Sequence, residues 1–283
     1  MNFETLEVRP YGDTLRVSIA APPLNLMGRQ MVMDLFTVAG GLMTDLSVRV
    51  VVVDSAVEDF FIAHFDIEDM IASVKDPDTP QSAYPDINIL QGLATTWQGL
   101  PQVTVAKIDG ICRGGGLEFA LGLDMRFASN DSRFCFPEAS GGFLASGGGA
   151  TRLLMGCGPA RGLEILLTSR DFSGAEAERY GLINRALPAA ELDPYIEETV
   201  TQLARRSRRV IGINKQVSRA VYAGFADAMF AGFGAENVGL RESLSHPDVH
   251  QFLSTMAEQA QTPETERDLP AFIERVTADV PFD

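Results

Sequence analysis

The stretch Gly110–Asp124 reads "GICRGGGLEFALGLD" and constrains this chain more than any other. Three consecutive glycines lead into an apolar segment that also contains Glu118. Glycine has no Cβ, so another backbone or a ligand can approach it closely. The first N–H groups of a helix lack partners within the helix, and the helix dipole favours negative charge beside them. The stretch therefore predicts a site for an anion, or for an oxyanion that develops during a reaction.

The common nucleotide-binding motifs do not explain these glycines. A Walker loop ends in Gly-Lys-Ser/Thr, which is absent, and "GGGLEF" lacks the third glycine of G-x-G-x-x-G. A second glycine-rich stretch, "FCFPEASGGFLASGGGATRLL" (134–154), places Glu138 after a proline and leads into another predicted helix. Glu118, predicted on the first helical turn, either satisfies its helix dipole or faces one apolar pocket with Glu138. In such a pocket two carboxyl groups divide acid and base roles.

The surrounding pattern alternates strands with helices. It predicts strands over 14–20, 48–54 and 101–110, helices over 28–45 and 87–99, and an exposed loop over 75–86. The β-branched run "VRVVVVD" is typical of a parallel strand buried on both faces. After about residue 189 only helical patterns remain. We therefore expect an α/β core over 1–190 and an α-helical region over 191–283.

Charge and length exclude several classes of partner. The 283 residues carry a formal net charge of −15. A field of that sign repels nucleic acid and anionic membrane surfaces. No apolar run approaches the length that spans a bilayer. The sequence therefore predicts a protein with neither a nucleic-acid nor a membrane partner.

Cysteine and histidine positions predict neither disulfides nor a metal site. The three cysteines, Cys112, Cys135 and Cys157, are odd in number and fit no ligand spacing, so they read as reduced thiols of a cytosolic protein. The acidic N-terminus does not resemble a signal peptide. His246 and His250 have helical i, i+4 spacing but lack the adjacent Glu of a zinc protease helix.

Four motifs, in order and properly spaced, resemble those of the crotonase (enoyl-CoA hydratase/isomerase) superfamily. They are "PPLNLM" (22–27), "FFIAHFDIEDM" (60–70), "IDGICRGGGLEFALGLDMRFAS" (108–129) and the ungapped segment 134–188. The resemblance implies an α/β, crotonase-like spiral of ββα units with a C-terminal α-helical trimerisation region. It also implies a homotrimer or a dimer of trimers, and an acyl-CoA substrate. Coenzyme A would be part of that thioester, with no separate cofactor.

The resemblance also assigns roles to residues. The backbone N–H groups of Phe65 and Gly115 would form an oxyanion hole, and Glu118 and Glu138 would add water across a 2-enoyl-CoA. Further substrate contacts would come from Leu24, Ala63, His64, Asp66, Ile67, Gly114, Ala145 and Ser146. The alternatives are an isomerase that uses Glu138 alone, a specialised lyase or hydrolase, and a catalytically idle binding or assembly subunit.

Several residues depart from the family pattern. His64 and Phe65 stand where Gly and Ala are usual, and Arg113 replaces a small residue. We expect His64 either to contact substrate or to lie exposed on a loop. Arg113 would pair with a substrate carboxylate or with an acid of the protein. Ala145 and Ser146 replace a Pro-Gly pair, which leaves the acyl specificity open.

Overall fold

The computed structural model describes residues 2–75 and 87–278. In chain order its strands are β1 (Leu6–Tyr11), β2 (Thr14–Ile19), β3 (Val50–Ser55), β4 (Phe60–Ile62), β5 (Val103–Ile108), β6 (Ile111–Arg113), β7 (Met125–Ser129), β8 (Arg133–Cys135), β9 (Phe172–Ser173) and β10 (Arg185–Leu187).

The helices of the core are α1 (Arg29–Thr44), α2 (Ile67–Lys75), α3 (Ile89–Gln98), α4 (Gly114–Ala120), α5 (Gly149–Cys157), α6 (Pro159–Thr168) and α7 (Gly174–Tyr180). A 3₁₀ turn over Glu138–Gly141 lies between β8 and α5. The C-terminal helices are α8 (Ala189–Ala204), α9 (Arg208–Ala223), α10 (Ala226–Ser243), α11 (Pro247–Gln259), α12 (Pro263–Glu266) and α13 (Leu269–Thr277).

The strands form two sheets that the chain visits in turn. One sheet has the order β1-β2-β3-β5-β7-β10, and the other has the order β4-β6-β8-β9. Strands β3, β5 and β7 are parallel neighbours in the first sheet, and β4, β6 and β8 are parallel neighbours in the second. Each repeat therefore gives one strand to each sheet before a helical segment follows. This arrangement is the spiral of ββα units that the resemblance predicted.

Local sequence explains why the units form. Strand β3 is buried on both faces except at Ser55, as expected for a parallel strand covered by helices. Gly110 joins β5 to β6 with φ +110°, and a Cβ there would lie 2.2 Å from the Asp59 carbonyl oxygen. Only glycine fits this link between the sheets. Helix α3 begins with a capping box in which Asn88 and Gln91 bond each other's backbone N–H groups.

The structure confirms the strands and helices predicted for the first half of the core. The predicted strands correspond to β2, β3 and β5, and the predicted helices correspond to α1 and α3. The loop predicted over 75–86 lies outside the described residues, apart from Lys75, which ends α2. The last strand ends at Leu187 and helices follow it, as expected. The division into two domains near residue 190 stays a prediction.

The end of the C-terminal region packs back onto the core. Helix α11 contacts α2 and the 3₁₀ turn, and α13 contacts the 3₁₀ turn and α11. The buried apolar cluster between them contains Ile67, Val249, Phe252, Leu253, Met256, Ala260, Leu269, Phe272 and Ile273. A Cβ on Gly141, in the second glycine-rich stretch, would lie 2.2 Å from the Phe252 ring, so the tail lies against the region where the sequence predicts the site.

Three further observations concern the cysteines, the helices and the possible metal ligands. Cys112, Cys135 and Cys157 are free thiols, as predicted, and the cytosolic location inferred from them stays a prediction. None of the helices in the described ranges is long and apolar enough to cross a membrane. Within the same ranges, no three His, Cys, Asp or Glu side chains cluster in a way that suits a metal ion.

Candidate active site

The glycines after β6 bring the start of α4 close to other backbone. Gly114 has φ +44°, a left-handed conformation that favours glycine, and a Cβ there would lie 2.9 Å from Glu138 Oε1. A Cβ on Gly115 would lie 3.0 Å from the Phe65 Cβ and 3.4 Å from the Phe65 nitrogen. The loop that carries Phe65 therefore approaches the first turn of α4 as closely as glycine allows.

A short β-bridge fixes the direction of the Phe65 N–H group. Met27 N–H donates to the His64 carbonyl oxygen (2.9 Å), and Asp66 N–H donates to the Met27 carbonyl oxygen (3.1 Å). The N–H of a trans peptide points opposite to its carbonyl, so Phe65 N–H points away from Met27. Neither Phe65 N–H nor Gly115 N–H has an acceptor among the described residues. Two neighbouring backbone donors are thus left for a ligand.

Glu118 lies on α4 with its carboxyl group held by backbone. Its Oε1 accepts hydrogen bonds from Gly147 N–H (2.6 Å) and Gly149 N–H (3.0 Å). The side chain is 3 % exposed. Since α4 begins at Gly114, Glu118 lies on the second turn, and the predicted first-turn position is wrong. The side chain is therefore bound to the second glycine-rich stretch rather than to the N-terminus of its own helix.

Glu138 begins the 3₁₀ turn and is also buried. Its Oε2 has no hydrogen-bond partner among the described residues. A buried polar atom without a partner is costly, and such atoms are concentrated where a ligand or substrate completes the bonding. The free oxygen makes Glu138 available for proton transfer.

Burial raises the pKa of both carboxyl groups. For Glu118, burial raises the pKa well above its ordinary value, the negative charges of Glu138 and Glu236 raise it further, and the two glycine N–H bonds oppose the shift. Burial raises the pKa of Glu138 to about 7, against the opposing effects of its own backbone N–H and the His64 charge. Near neutral pH the pair therefore retains a proton, so that one carboxyl group can act as an acid while the other acts as a base.

Glu118, Glu138, Phe65 and Gly115 all line one cavity of about 190 Å³. Of the residues predicted for the site, the cavity is lined by His64, Phe65, Ile67, Gly115, Glu118, Glu138 and Ser146. Most of its remaining wall is apolar. These side chains come from α2, α3, the loop that follows the 3₁₀ turn, and the tail helices α10, α11 and α13. No motif in the sequence indicates that the tail contributes to this wall.

The other predicted substrate contacts lie beside the cavity rather than in its wall. Leu24 and Ala63 pack in a small apolar cluster, and Ala145 packs in the main core. Gly114 lies against Glu138. Asp66 is tied to the backbone, since its Oδ1 accepts from Glu68 N–H. Contact of these residues with a substrate stays a prediction.

His64 and Arg113 are more buried than expected. The exposed loop position considered for His64 is wrong, because the residue is only 6 % exposed. Arg113 is fully buried and pairs with Asp171 (2.6 Å) and Glu266 (3.5 Å), so it binds acids of the protein rather than a substrate carboxylate. Burial changes the interpretation of both residues, because a buried charge requires a partner.

Sequence reasoning missed two buried acids of the tail. Glu236 on α10 accepts from Gly148 N–H (2.9 Å) and Thr151 N–H (2.7 Å) at the start of α5. Glu266 at the end of α12 contacts His64 Nε2 (2.8 Å). The small residues around Glu236 in "FGAENVGL" hint at close packing, but "TPETERD" around Glu266 is typical of an exposed surface.

The comparisons with known proteins identify the family. A family described as enoyl-CoA hydratase/isomerase matches residues 12–266. A carnitinyl-CoA dehydratase of Proteus mirabilis is 30 % identical over 217 residues, which are 77 % of this chain and 81 % of the relative. The chain belongs to the enoyl-CoA hydratase/isomerase family, within the crotonase superfamily.

Solved structures agree with this assignment. The crystal structure of a Streptomyces avermitilis protein assigned to the enoyl-CoA hydratases is 35 % identical, with a TM-score of 0.88, and covers 98 % of this chain and 100 % of that one. An enoyl-CoA hydratase of Bacillus halodurans has the same fold at 19 % identity, with a TM-score of 0.78 over 89 % of this chain and 100 % of its own. Enzymes of this family process acyl-CoA, and relatives of this chain include hydratases and dehydratases.

Proposed function

We propose that the protein adds water across the double bond of a 2-enoyl-CoA thioester and forms a 3-hydroxyacyl-CoA. The observation that carries the proposal is that Phe65 and Gly115, whose N–H groups have no acceptor among the described residues, line one cavity together with the buried residues Glu118 and Glu138. The similarity to a carnitinyl-CoA dehydratase supports the same chemistry in the reverse direction. Coenzyme A is then part of the substrate, and no separate cofactor is needed.

The thioester carbonyl oxygen would lie between the two N–H groups. When a water oxygen bonds to C3, the electrons of the C2–C3 double bond move toward that carbonyl and produce an enolate. Backbone donors aimed at the oxygen stabilise this developing charge, and the loss of one such donor typically costs about 10²–10³ in rate. Because β6, α4 and the Met27 bridge hold both donors in place, they need no reorganisation during the reaction.

Glu118 and Glu138 would move the two protons. The two glycine N–H groups that donate to its Oε1 favour the carboxylate form of Glu118, against the effect of burial. In that form Glu118 would take a proton from the water that attacks C3. Glu138, with a pKa raised to about 7 by burial, gives its proton to C2 of the enolate. The net result adds one water molecule to the alkene, and proton transfer between the two carboxyl groups resets the site. General acid–base catalysis of this kind contributes about 10²–10⁴ for each group.

Substitution of each carboxyl group tests the proposal. We expect Glu118→Gln and Glu138→Gln to remain folded and to lose at least about 10²-fold in kcat for hydration. Glu58→Gln, at an exposed position, is the matched control and should keep full activity. If the wild-type protein hydrates no 2-enoyl-CoA of any chain length, the proposal fails. Calorimetry with coenzyme A then distinguishes another acyl-CoA enzyme from an idle subunit, which would not bind.

The wall of the cavity favours an apolar acyl group. Its apolar side chains include Ile67, Met70, Ile89, Leu90, Phe143, Leu144, Leu240, Leu244, Phe252, Leu253, Met256, Leu269 and Ile273. A dry cavity of about 150 Å³ with a similar wall accommodates benzene, and this one measures about 190 Å³. We therefore propose a medium-length alkyl or an aryl acyl group. A higher kcat/KM with carnitinyl-CoA than with any CoA thioester of an uncharged acyl group would contradict this substrate class.

One observation favours isomerisation as a second candidate. The Glu138 Oε2 is unpaired among the described residues, whereas Glu118 Oε1 already accepts two hydrogen bonds. Glu138 alone can remove a proton from C2 of a 3-enoyl-CoA and return it to C4. Incubation of Glu118→Gln with 3-enoyl-CoA separates the two functions. Formation of the conjugated thioester at the wild-type rate would favour the isomerase.

The proposed assembly is a homotrimer or a dimer of trimers. On α9 an apolar row of Val210, Ile213, Val217 and Val221 is exposed, and a contiguous exposed apolar row supports self-association. We expect light scattering to give a trimeric or hexameric mass for the wild-type protein. Val217→Asp should reduce this mass, while Arg9→Ala on β1 should not change it.

A further inference from the structure

Glu266 lies in the short helix α12, far along the chain from the glycine-rich segments, and is fully buried. Its Oε1 is 2.8 Å from His64 Nε2. Its backbone oxygen accepts from Arg113 Nη1 at 2.6 Å, and its Oε2 lies 3.5 Å from the same atom. One residue of the tail therefore contacts both His64 and Arg113.

These two partners adjoin the two backbone donors. His64 immediately precedes Phe65, and Arg113 immediately precedes Gly114 and Gly115. The second side of the Arg113 guanidinium is held by Asp171 at 2.8 and 2.6 Å. Glu266 is thus connected to both halves of the proposed oxyanion hole through one short contact on each side.

The hydrogen bonds of the His64 ring decide its proton count. Nδ1 lies 2.7 Å from the Phe65 carbonyl oxygen, which can only accept, so Nδ1 carries a proton. Nε2 faces the Glu266 carboxyl group. Either the ring is an imidazolium that donates to a Glu266 carboxylate, or the ring is neutral and Nε2 accepts a hydrogen bond from a protonated Glu266 carboxyl group. Glu266 Oε2 also lies 3.5 Å from Arg113 Nη1, and this ion pair with a guanidinium supports the pairing of a carboxylate with an imidazolium.

The charges around the ring support the same assignment. Burial lowers the pKa of His64 and so does the charge of Arg113, but the charge and hydrogen bond of Glu266, together with the Phe65 carbonyl, raise it overall. Glu138 is the other acid that faces the ring, and the His64 charge lowers the Glu138 pKa. The ring therefore influences the proton donor as well as the adjoining peptide.

We propose that Glu266 is a positioning residue that holds His64 as an imidazolium and, with Arg113, fixes the Phe65 and Gly115 N–H groups around a common point. The Met27 bridge holds the His64–Phe65 peptide from one side, and the His64 ring binds the next carbonyl from the other. The tail thereby completes the oxyanion hole. This role rests on the proposed acyl-CoA chemistry, whereas the charge state of the ring does not.

Two variants separate hydrogen bonding from charge. Glu266→Ala removes both, and we expect kcat to fall about 10- to 100-fold with little change in KM, because small misplacements of catalytic groups cost about this much. Glu266→Gln keeps the shape but leaves the ring neutral. Without that cation the Glu138 pKa rises, so the basic limb of the kcat profile moves to higher pH. Glu264, which is exposed on the same short helix, gives the matched control: Glu264→Gln should change neither kcat nor its pH profile.

Nitrogen NMR of the histidine rings tests the charge independently of turnover. The chain has only three histidines, and His246 and His250 are exposed references. We expect the His64 ring to give imidazolium signals at pH 7 in the wild-type protein and neutral signals in Glu266→Gln. A neutral His64 in the wild-type protein would overturn the proposal, and so would unchanged kcat and pH profile in both variants. Absence of wild-type hydration with an imidazolium present would instead reject the proposed function.

Discussion

The replacement of Glu138 by glutamine predicts a change in how stability depends on pH. Burial raises the pKa of Glu138 from 4.5 to about 7 in the folded protein. A carboxyl group with a raised folded pKa contributes stability that is fully present below its unfolded pKa and is lost as pH rises through the folded value. Gln resembles the protonated carboxyl group in shape and has no charge to lose. The variant should therefore lack this loss of stability.

The magnitude follows from the size of the shift. The isoelectric point near 4.6 makes measurements close to that pH impractical, so pH 5.5 is a suitable lower limit. Between pH 5.5 and a folded pKa of about 7, each pH unit lowers the free energy of unfolding of the wild-type protein by about 1.4 kcal/mol. The wild-type protein should lose about 2 kcal/mol more free energy of unfolding than Glu138→Gln between pH 5.5 and 8.5. Removing the charge also lowers the Glu118 pKa, which increases the difference.

Urea unfolding at fixed protein concentration measures this difference. The chain has one tryptophan, Trp97, which is fully buried, so its fluorescence reports global unfolding. Glu58→Gln, at an exposed position, is the matched control and should follow the wild-type curve. Equal pH dependence for wild-type and Glu138→Gln would refute the reasoning, because Glu138 would then be ionised at neutral pH and unable to protonate C2.

Three further substitutions test other parts of the site. Gly115→Ala puts a methyl group 3.4 Å from the Phe65 nitrogen, so kcat should fall about 10²–10³-fold. Gly41→Ala is the control, because a Cβ there meets nothing within 4 Å. It should keep kcat and gain at most about 1 kcal/mol of stability. Glu236→Gln removes a negative charge that raises the Glu118 pKa, so the acidic limb of the kcat/KM profile should move to lower pH. Leu253→Ala enlarges the cavity, so the preferred acyl chain should lengthen. The same substitution should lower the free energy of unfolding by about 2–5 kcal/mol. Unchanged kcat, an unmoved limb and an unchanged chain preference would contradict these three expectations respectively.

Sequence features that depend on local geometry predicted much of the fold. The β-branched run around β3 and the glycines at the start of α4 each have a local physical reason, namely burial on both faces and close backbone approach. Glu118 was recognisable because a carboxyl group in an apolar helix needs a partner. Glu138 was recognisable because it follows a proline and begins a second glycine-rich stretch, although the local pattern did not reveal that Gly147 and Gly149 would bind Glu118.

Contacts between distant segments could not be read from the sequence. His64 resembled an exposed loop residue because loops are usually exposed, and its partner Glu266 lies about two hundred residues further along, in a polar stretch. Arg113 and Glu266 each look like surface charges until the tail is packed over the core. Long-range pairing decides which charges become buried, and a single sequence carries no local record of it.

The most direct test of the central claim is the fate of isotopes in the reaction. The wild-type protein is incubated with a medium-length 2-enoyl-CoA in heavy water enriched in oxygen-18, and the products are analysed by mass spectrometry. The account predicts a 3-hydroxyacyl-CoA that carries oxygen-18 at C3 and deuterium at C2, and far less of it with Glu118→Gln or Glu138→Gln. Recovery of the unlabelled, unhydrated thioester from the wild-type protein, or labelling by either variant at the wild-type level, would contradict it.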